Sequence, residues 1–179
     1  MSIQIALHDW HDFFTVAGTS SATLMGLLFI SLTLNADLML AGDRPQLKRI
    51  AEQAFQNYIV VFLTALLFLI PHQEWRSLTT GMLIVASFMG IMTIYRIVAL
   101  WRISDEYFNR AHTWRRLMPS LLGNIIMAYS AIQYRDAYSE EAMAPFAFAE
   151  LTLLISATAT SWDLLLRVAE LRHKIGKQP

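Results

Sequence analysis

The sequence contains no cysteine and little charge. Charged residues make up 16% of its 179 residues and hydrophobic residues 55%, whereas an ordinary soluble domain has about 25% charged residues. The lack of cysteine excludes a disulfide scaffold and a thiolate zinc site, and the high hydrophobicity excludes a disordered chain. The 14 basic and 14 acidic residues cancel, so nothing in the charge balance predicts a nucleic-acid partner.

Enzyme motifs are also missing. The sequence has no Gly-rich phosphate loop, no HExxH and no GxSxG. His8, His11 and Asp12 lie close together, but a zinc site needs further ligands at a defined spacing. We therefore predict no metal site, no cofactor and no enzymatic activity.

Long uncharged segments dominate the chain instead. A transmembrane helix needs about 20 mostly apolar residues. Five segments approach or exceed that length, although the last contains Glu150 and Asp163. The predicted spans are about 12–35, 50–72, 77–102, 117–135 and 143–167. We therefore predict an all-α polytopic membrane protein, a five-helix bundle that forms one transmembrane domain over residues 1–179.

The positive charges predict an orientation for this bundle. Cytoplasmic loops carry an excess of Lys and Arg. If the N-terminus is outside, five crossings leave 12 Lys and Arg residues inside and only Arg76 and Arg135 outside. This asymmetry predicts an outer N-terminus and a cytoplasmic C-terminus.

The linker 102–116, between the third and fourth predicted spans, has an amphipathic pattern. Tyr107 and Phe108 can face lipid while Arg110 and Arg115 reach anionic headgroups. The linker can also be a continuation of the third span, or a solvated basic loop that only sets topology.

Polar residues gather in the cytoplasmic half of the predicted bundle. Glu52, Gln56 and Asn57 lie on one side of the second span by their helical spacing. Arg96 and Asp163 lie at a similar depth on the third and fifth spans. A network of Glu52, Arg96 and Asp163 is therefore expected. It either fixes the register of the helices or serves as a binding or catalytic site.

The fifth span carries a polar stripe on one helical face. Its residues follow each other at steps of three or four: Thr152, Ser156, Thr160, Asp163 and Arg167. The stripe either lines an aqueous path between subunits, or packs the bundle while its terminal charges emerge into the cytoplasm.

Glu150 is separate from this stripe. It lies about two turns into the fifth span from the predicted outer side. It is either a proton or cation site or a single hydrogen-bonded group.

The first span contains Gly18, Ala22 and Gly26 at a spacing of four. Small residues at this spacing allow two helices to approach closely. The pattern fits packing within the chain, an interface between subunits, or a pore wall.

The segment from Trp10 to Leu34 resembles the opening of a broad group of small bacterial integral membrane proteins. The shared features are an aromatic pair (Phe13 and Phe14), small residues, a Gly-Leu-Leu-Phe stretch from Gly26 and a Ser/Thr-containing end. Some members of this group are labelled modulators of the FtsH protease. The resemblance implies a bacterial inner membrane and carries over no catalytic residue.

Together these patterns predict a homo-oligomer that forms an ion channel or pore in the lipid bilayer. The alternative is a non-conducting regulator or interaction protein with a membrane-protein partner, such as a protease modulator or a stress or defence effector.

Overall fold

The computed structural model describes residues 3–40, 45–102, 110–136 and 140–175. This part of the chain is all-helical, with six α-helices and one short 3-10 turn, Glu140–Ala142. The helices are α1 (Ile3–Leu34), α2 (Ala36–Leu40), α3 (Pro45–Leu69), α4 (Trp75–Arg102), α5 (Arg110–Gln133) and α6 (Met143–Ile175).

Four of these helices are long and apolar enough to cross a membrane. The apolar segments are His8–Leu34, Leu47–Leu69, Trp75–Val98 and Met143–His173. The apolar part of α5, Leu117–Gln133, is shorter, because the first turns of that helix carry Arg110, Arg115 and Arg116. The predicted all-helical fold with membrane-length apolar helices is thus confirmed, with four such helices rather than five among the described residues.

The five long helices form a bundle, and four of them, α3 to α6, make a closed arrangement. In this arrangement α3 packs against α4 and α6, and α5 packs against the same two helices from the other side. α1 lies outside, against α3 and α6. α2 is a short link between α1 and α3.

Contacts at one end of the bundle fix the direction of each helix. The indole Nε1 of Trp75, the first residue of α4, donates to the carbonyl of Tyr134, just after α5, at 2.5 Å. The same indole ring lies 6.3 Å from Phe146 near the start of α6. α4 and α6 therefore begin at the end where α5 finishes, so α5 traverses the length of the bundle.

We call this end the aromatic end. Phe14 near the start of α1 stacks on Phe68 near the end of α3, with ring centroids 3.6 Å apart, and Phe68 meets Phe146 edge-on at 5.9 Å. The opposite end, where α3 and α5 begin, is called the polar end.

The connection between α3 and α4 lies at the aromatic end. Pro71 follows α3 and cannot extend its hydrogen-bond ladder, and His72 has a positive φ of 55°, which suits a tight reversal. This short turn places α3 and α4 side by side and antiparallel.

The outside of the bundle is rich in large apolar side chains. Exposed examples occur on all five long helices: Leu27, Phe29, Leu66, Phe88, Ile91, Ile125, Ile132, Ile155 and Trp162. Such a surface is unfavourable in water but suits contact with lipid.

The predicted amphipathic linker is only partly described. Residues 103–109 lie outside the described part of the chain, and residues 110–116 form the first turns of α5. The apolar segment of α5 begins at Leu117, where the fourth span was predicted to begin, and the helix itself begins earlier, at Arg110.

Candidate functional site

A buried hydrogen-bonded group joins three helices between the middle of the bundle and its polar end. Asn57 of α3 donates through Nδ2 to Ser156 Oγ of α6 at 3.2 Å. Ser120 Oγ of α5 donates to Asn57 Oδ1 at 2.6 Å. All three side chains are buried. One amide therefore crosslinks α3, α5 and α6, and we call these three residues the amide cluster.

Tyr58, the next residue of α3, makes a second set of contacts. Ser161 Oγ of α6 donates to the phenol oxygen at 3.3 Å. On the opposite side, Ser21 Oγ of α1 donates to the carbonyl of Tyr58 at 2.6 Å. This buried tyrosine thus links α1 to the four-helix arrangement.

The amide cluster continues along α5 to Asn124. Its Nδ2 donates to the carbonyl of Ser120, one turn earlier, at 2.8 Å. Its Oδ1 is buried and has no hydrogen-bond partner among the described residues.

Ion pairs lie nearer the polar end. Arg96 of α4 lies 3.9 Å from the Glu52 carboxylate of α3, as the predicted network requires. Asp163 accepts a 2.9 Å hydrogen bond from Arg167 Nε, one turn further along α6. These contacts join Arg96 to Glu52 and Arg167 to Asp163, and a single network of Glu52, Arg96 and Asp163 stays a prediction. Gln56 is half-buried nearby on α3.

The polar stripe of α6 turns largely into the bundle. Ser156 belongs to the amide cluster, and Thr160 is buried, with its hydroxyl donating to the Ser156 carbonyl at 2.7 Å. Thr152, Asp163 and Arg167 are half-buried. The middle of the stripe therefore contacts other helices of the same chain.

Glu150 occupies a separate position in the four-helix interior. Its side chain is only 1% exposed, and its Oε1 is hydrogen-bonded to the Thr64 hydroxyl of α3. Its Oε2 is buried without a partner among the described residues. Phe146 and Leu153, one turn to either side on α6, belong to the apolar core.

The small residues of α1 have different surroundings. A Cβ on Gly18 would lie 3.0 Å from Ala65 Cβ of α3, whereas a Cβ on Gly26 would meet nothing within 4 Å. Ala22 is half-buried between them. Gly18 therefore serves close packing of α1 on α3, and Gly26 faces open space.

Charged groups at the aromatic end are exposed. Arg76 donates to Asp136 at 2.7 Å, and this hydrogen bond and the charge of Arg76 hold the pKa of the Asp136 carboxyl below its usual value. His11 Nδ1 lies 3.4 Å from the carboxylate of its neighbour Asp12.

Ser120 and Thr64 were missed by the sequence analysis. Each is a single hydroxyl in an apolar segment, and such residues usually bond to their own helix. A weak pattern was present, since Asn57 and Thr64 are seven residues apart on α3 and therefore lie on one face.

The structure is that of an all-helical protein with four helices of membrane-spanning length and several polar groups buried in an apolar interior. No protein family, curated protein or solved structure matches the chain.

Proposed function

We propose that this chain is a non-conducting membrane protein that acts by binding another membrane protein. Following the resemblance of its first span, we assign it to a bacterial inner membrane. The observation that carries the proposal is the use of the α6 polar stripe inside a single chain.

A pore wall needs polar side chains that face water. Ser156 instead accepts from Asn57, and the Thr160 hydroxyl donates within its own helix. Releasing Ser156 toward a partner subunit would leave the Asn57 amide unsatisfied in the interior, which is costly. The apolar exterior of the bundle fits contact with lipid or with the apolar surface of a partner.

Five crossings, with the N-terminus outside, are part of the proposal. The contacts of Trp75 with Tyr134 and Phe146 support a fifth crossing by α5, since that helix must run from the polar end to the aromatic end. The charge asymmetry supports the orientation, because Arg76 and Arg135 both lie at the aromatic end.

Because the chain has no cysteine, single-cysteine variants test the topology without background. His8→Cys and Asp136→Cys should react with a membrane-impermeant thiol reagent in intact spheroplasts. His173→Cys should react only after permeabilisation. Labelling of Asp136→Cys only after permeabilisation would contradict a crossing by α5.

Ion flux from proteoliposomes tests the absence of conduction. We expect the purified protein to give the flux of empty liposomes, both as wild type and as Asp163→Asn. Glu170→Gln, an exposed acid on the same helix, is the matched control. Flux whose ion selectivity changes in Asp163→Asn but not in Glu170→Gln would establish a channel and reject the proposal.

The partner is sought by crosslinking in native membranes. Photo-crosslinkers placed at exposed positions of different helices, Phe29, Phe88 and Ile155, should yield one discrete adduct with another membrane protein from at least one position. Adducts with lipid alone from all three positions would contradict the proposal.

A separate crosslinking experiment tests the predicted homo-oligomer at the exposed face of α1. Gly26→Cys should form a disulfide between copies under mild oxidation, and Phe88→Cys on α4 should not. Equal crosslinking of both variants would indicate random collision and remove the support for an α1 interface.

A further inference from the structure

The Glu150 carboxyl lies in an interior with few polar groups. α6 packs against α3, α5 and α1, and α4 closes the arrangement from the far side. Thr64 of α3 contacts Glu150, and Gly123 of α5 approaches its neighbours Ala149 and Leu153. The apolar segments of the four helices that include this level are 60–68 of α3, 121–132 of α5, 78–90 of α4 and 13–28 of α1. By sequence these segments contain no Asp, Glu, Lys, Arg or His, and their single tyrosine, Tyr129, is 65% exposed. No cation on these segments can therefore compensate an ionised Glu150.

The Thr64 hydroxyl has three possible acceptors within reach and only one proton to donate. Thr64 Oγ1 lies 2.7 Å from the carbonyl of Val60 and 3.1 Å from that of Val61, and it also contacts Glu150 Oε1. A hydroxyl has one proton and lone pairs that accept. When that proton satisfies the helix carbonyl, the contact with Glu150 becomes a hydrogen bond only if the carboxyl donates.

The other carboxyl oxygen leads to the same conclusion. Glu150 Oε2 is buried and has no partner among the described residues. An ionised carboxylate buried without compensation is far more costly than a neutral polar group, and intramembrane carboxyls are costly unless paired or hydrated. In a neutral acid, Oε2 is a carbonyl oxygen, which tolerates the missing partner better.

We propose that Glu150 is a proton-binding site within the membrane, a neutral carboxylic acid whose O–H donates to Thr64 Oγ1. The Thr64 hydroxyl in turn donates its own proton to the carbonyl of Val60. The bound proton therefore completes a link between α6 and α3 at a level between the aromatic end and the amide cluster. This site is independent of whether the protein has a partner or conducts ions.

Infrared spectroscopy of the protein in lipid at neutral pH tests the proposal directly. We expect a carbonyl stretching band of a protonated carboxyl group that is absent in Glu150→Gln. Glu170→Gln, the exposed acid on the same helix, should retain the band at full intensity. A wild-type spectrum without the band, or a band that persists in Glu150→Gln, would overturn the proposal.

Thr64→Val keeps the test informative if Glu150→Gln does not fold. Removal of the hydroxyl takes away the acceptor for the carboxyl O–H, so the band should remain and shift to higher frequency. Thr160→Val, which removes a buried hydroxyl elsewhere in the interior, should leave the frequency unchanged. Loss of the band in Thr64→Val, or an equal shift in both variants, would contradict the assigned hydrogen bond.

Discussion

The aromatic end of the bundle is held together by different side chains from those in the polar half, which extends from the amide cluster to the polar end. At the aromatic end, rings from α1, α3, α4 and α6 contact one another, with Phe14, Phe68 and Phe146 fully or nearly fully buried. In the polar half, the apolar core consists mainly of leucine, isoleucine, valine and alanine side chains, and the amide cluster joins three helices.

This difference reflects how helices associate in lipid. Lipid tails are as apolar as leucine, so burial of apolar surface from water does not drive the helices together; close packing and interhelical hydrogen bonds do. The aromatic end uses mainly packing, with one indole hydrogen bond at its edge, and the polar half adds hydrogen bonds. The two regions should therefore respond to different substitutions.

The largest effect is expected from loss of a ring at the aromatic end. Phe146→Ala leaves a cavity beside Phe68 and Trp75, and buried Phe→Ala changes in cores cost about 3–5 kcal/mol. We expect the lower end of that range because lipid, not water, surrounds the separated helices. Thermal unfolding in detergent measures the loss.

The matched control is Phe148→Ala, two residues along α6, where the ring is 58% exposed. It should change stability by less than about 0.5 kcal/mol. Similar losses for both variants would mean that the aromatic end is not held by its packed rings.

Overpacking in the centre of the bundle should have the next largest effect. A Cβ on Gly123 of α5 would lie 2.7 Å from Leu153 Cγ and 3.3 Å from the carbonyl oxygen of Ala149. Gly123→Ala should therefore push α5 from α6 and destabilise the protein by about 1–3 kcal/mol. Gly26→Ala, with open space around the new methyl group, should have no such cost, and equal effects in the same unfolding assay would contradict the close α5–α6 approach.

A smaller effect is expected for the amide cluster of the polar half. A double-mutant cycle of Asn57→Ala and Ser156→Ala in the unfolding assay should give a coupling of about 0.6 kcal/mol, and no more than about 1.7 kcal/mol, as for other interhelical hydrogen bonds in membranes. A cycle of Asn57→Ala with Thr152→Ala, whose hydroxyl bonds to its own helix, should give none. Zero coupling in both cycles would show that hydrogen bonds do not hold the polar half.

The helices were largely predictable from the sequence, because uncharged segments of membrane length leave few alternatives. The boundaries of α5 were harder to place. Its arginines end the apolar pattern near Leu117 but do not prevent helix formation. The apolar segment and the helix therefore begin at different residues.

The interior contacts were predictable only where the residue type itself restricts the partner. Arg96 at the level of Glu52 has an evident partner by charge. Ser120 and Thr64 have none, because a lone hydroxyl can bond to its own helix, to another helix or to both. Which of these occurs depends on helix rotations that sequence patterns do not determine.

The smallest predicted effect concerns the surface of the aromatic end. Arg76 lowers the pKa of Asp136 in the folded protein, so the folded state keeps this carboxylate ionised to a lower pH than the unfolded chain does. The stabilisation is therefore present above the pKa of an unperturbed aspartate, about 3.9, and is lost as the pH falls through the lowered value.

A comparison of melting temperatures between wild type and Asp136→Asn across this pH range measures that contribution. We expect a small advantage of the wild type at neutral pH that disappears in acid and shrinks with added salt, since both partners are exposed. Arg76→Gln should abolish the same advantage, and Asp136→Asn should have no further effect in its background. If the wild type keeps its higher melting temperature in acid, the stabilisation comes from packing around Trp75 rather than from the ion pair. Side-chain packing would then stabilise the surface of the aromatic end as well as its interior.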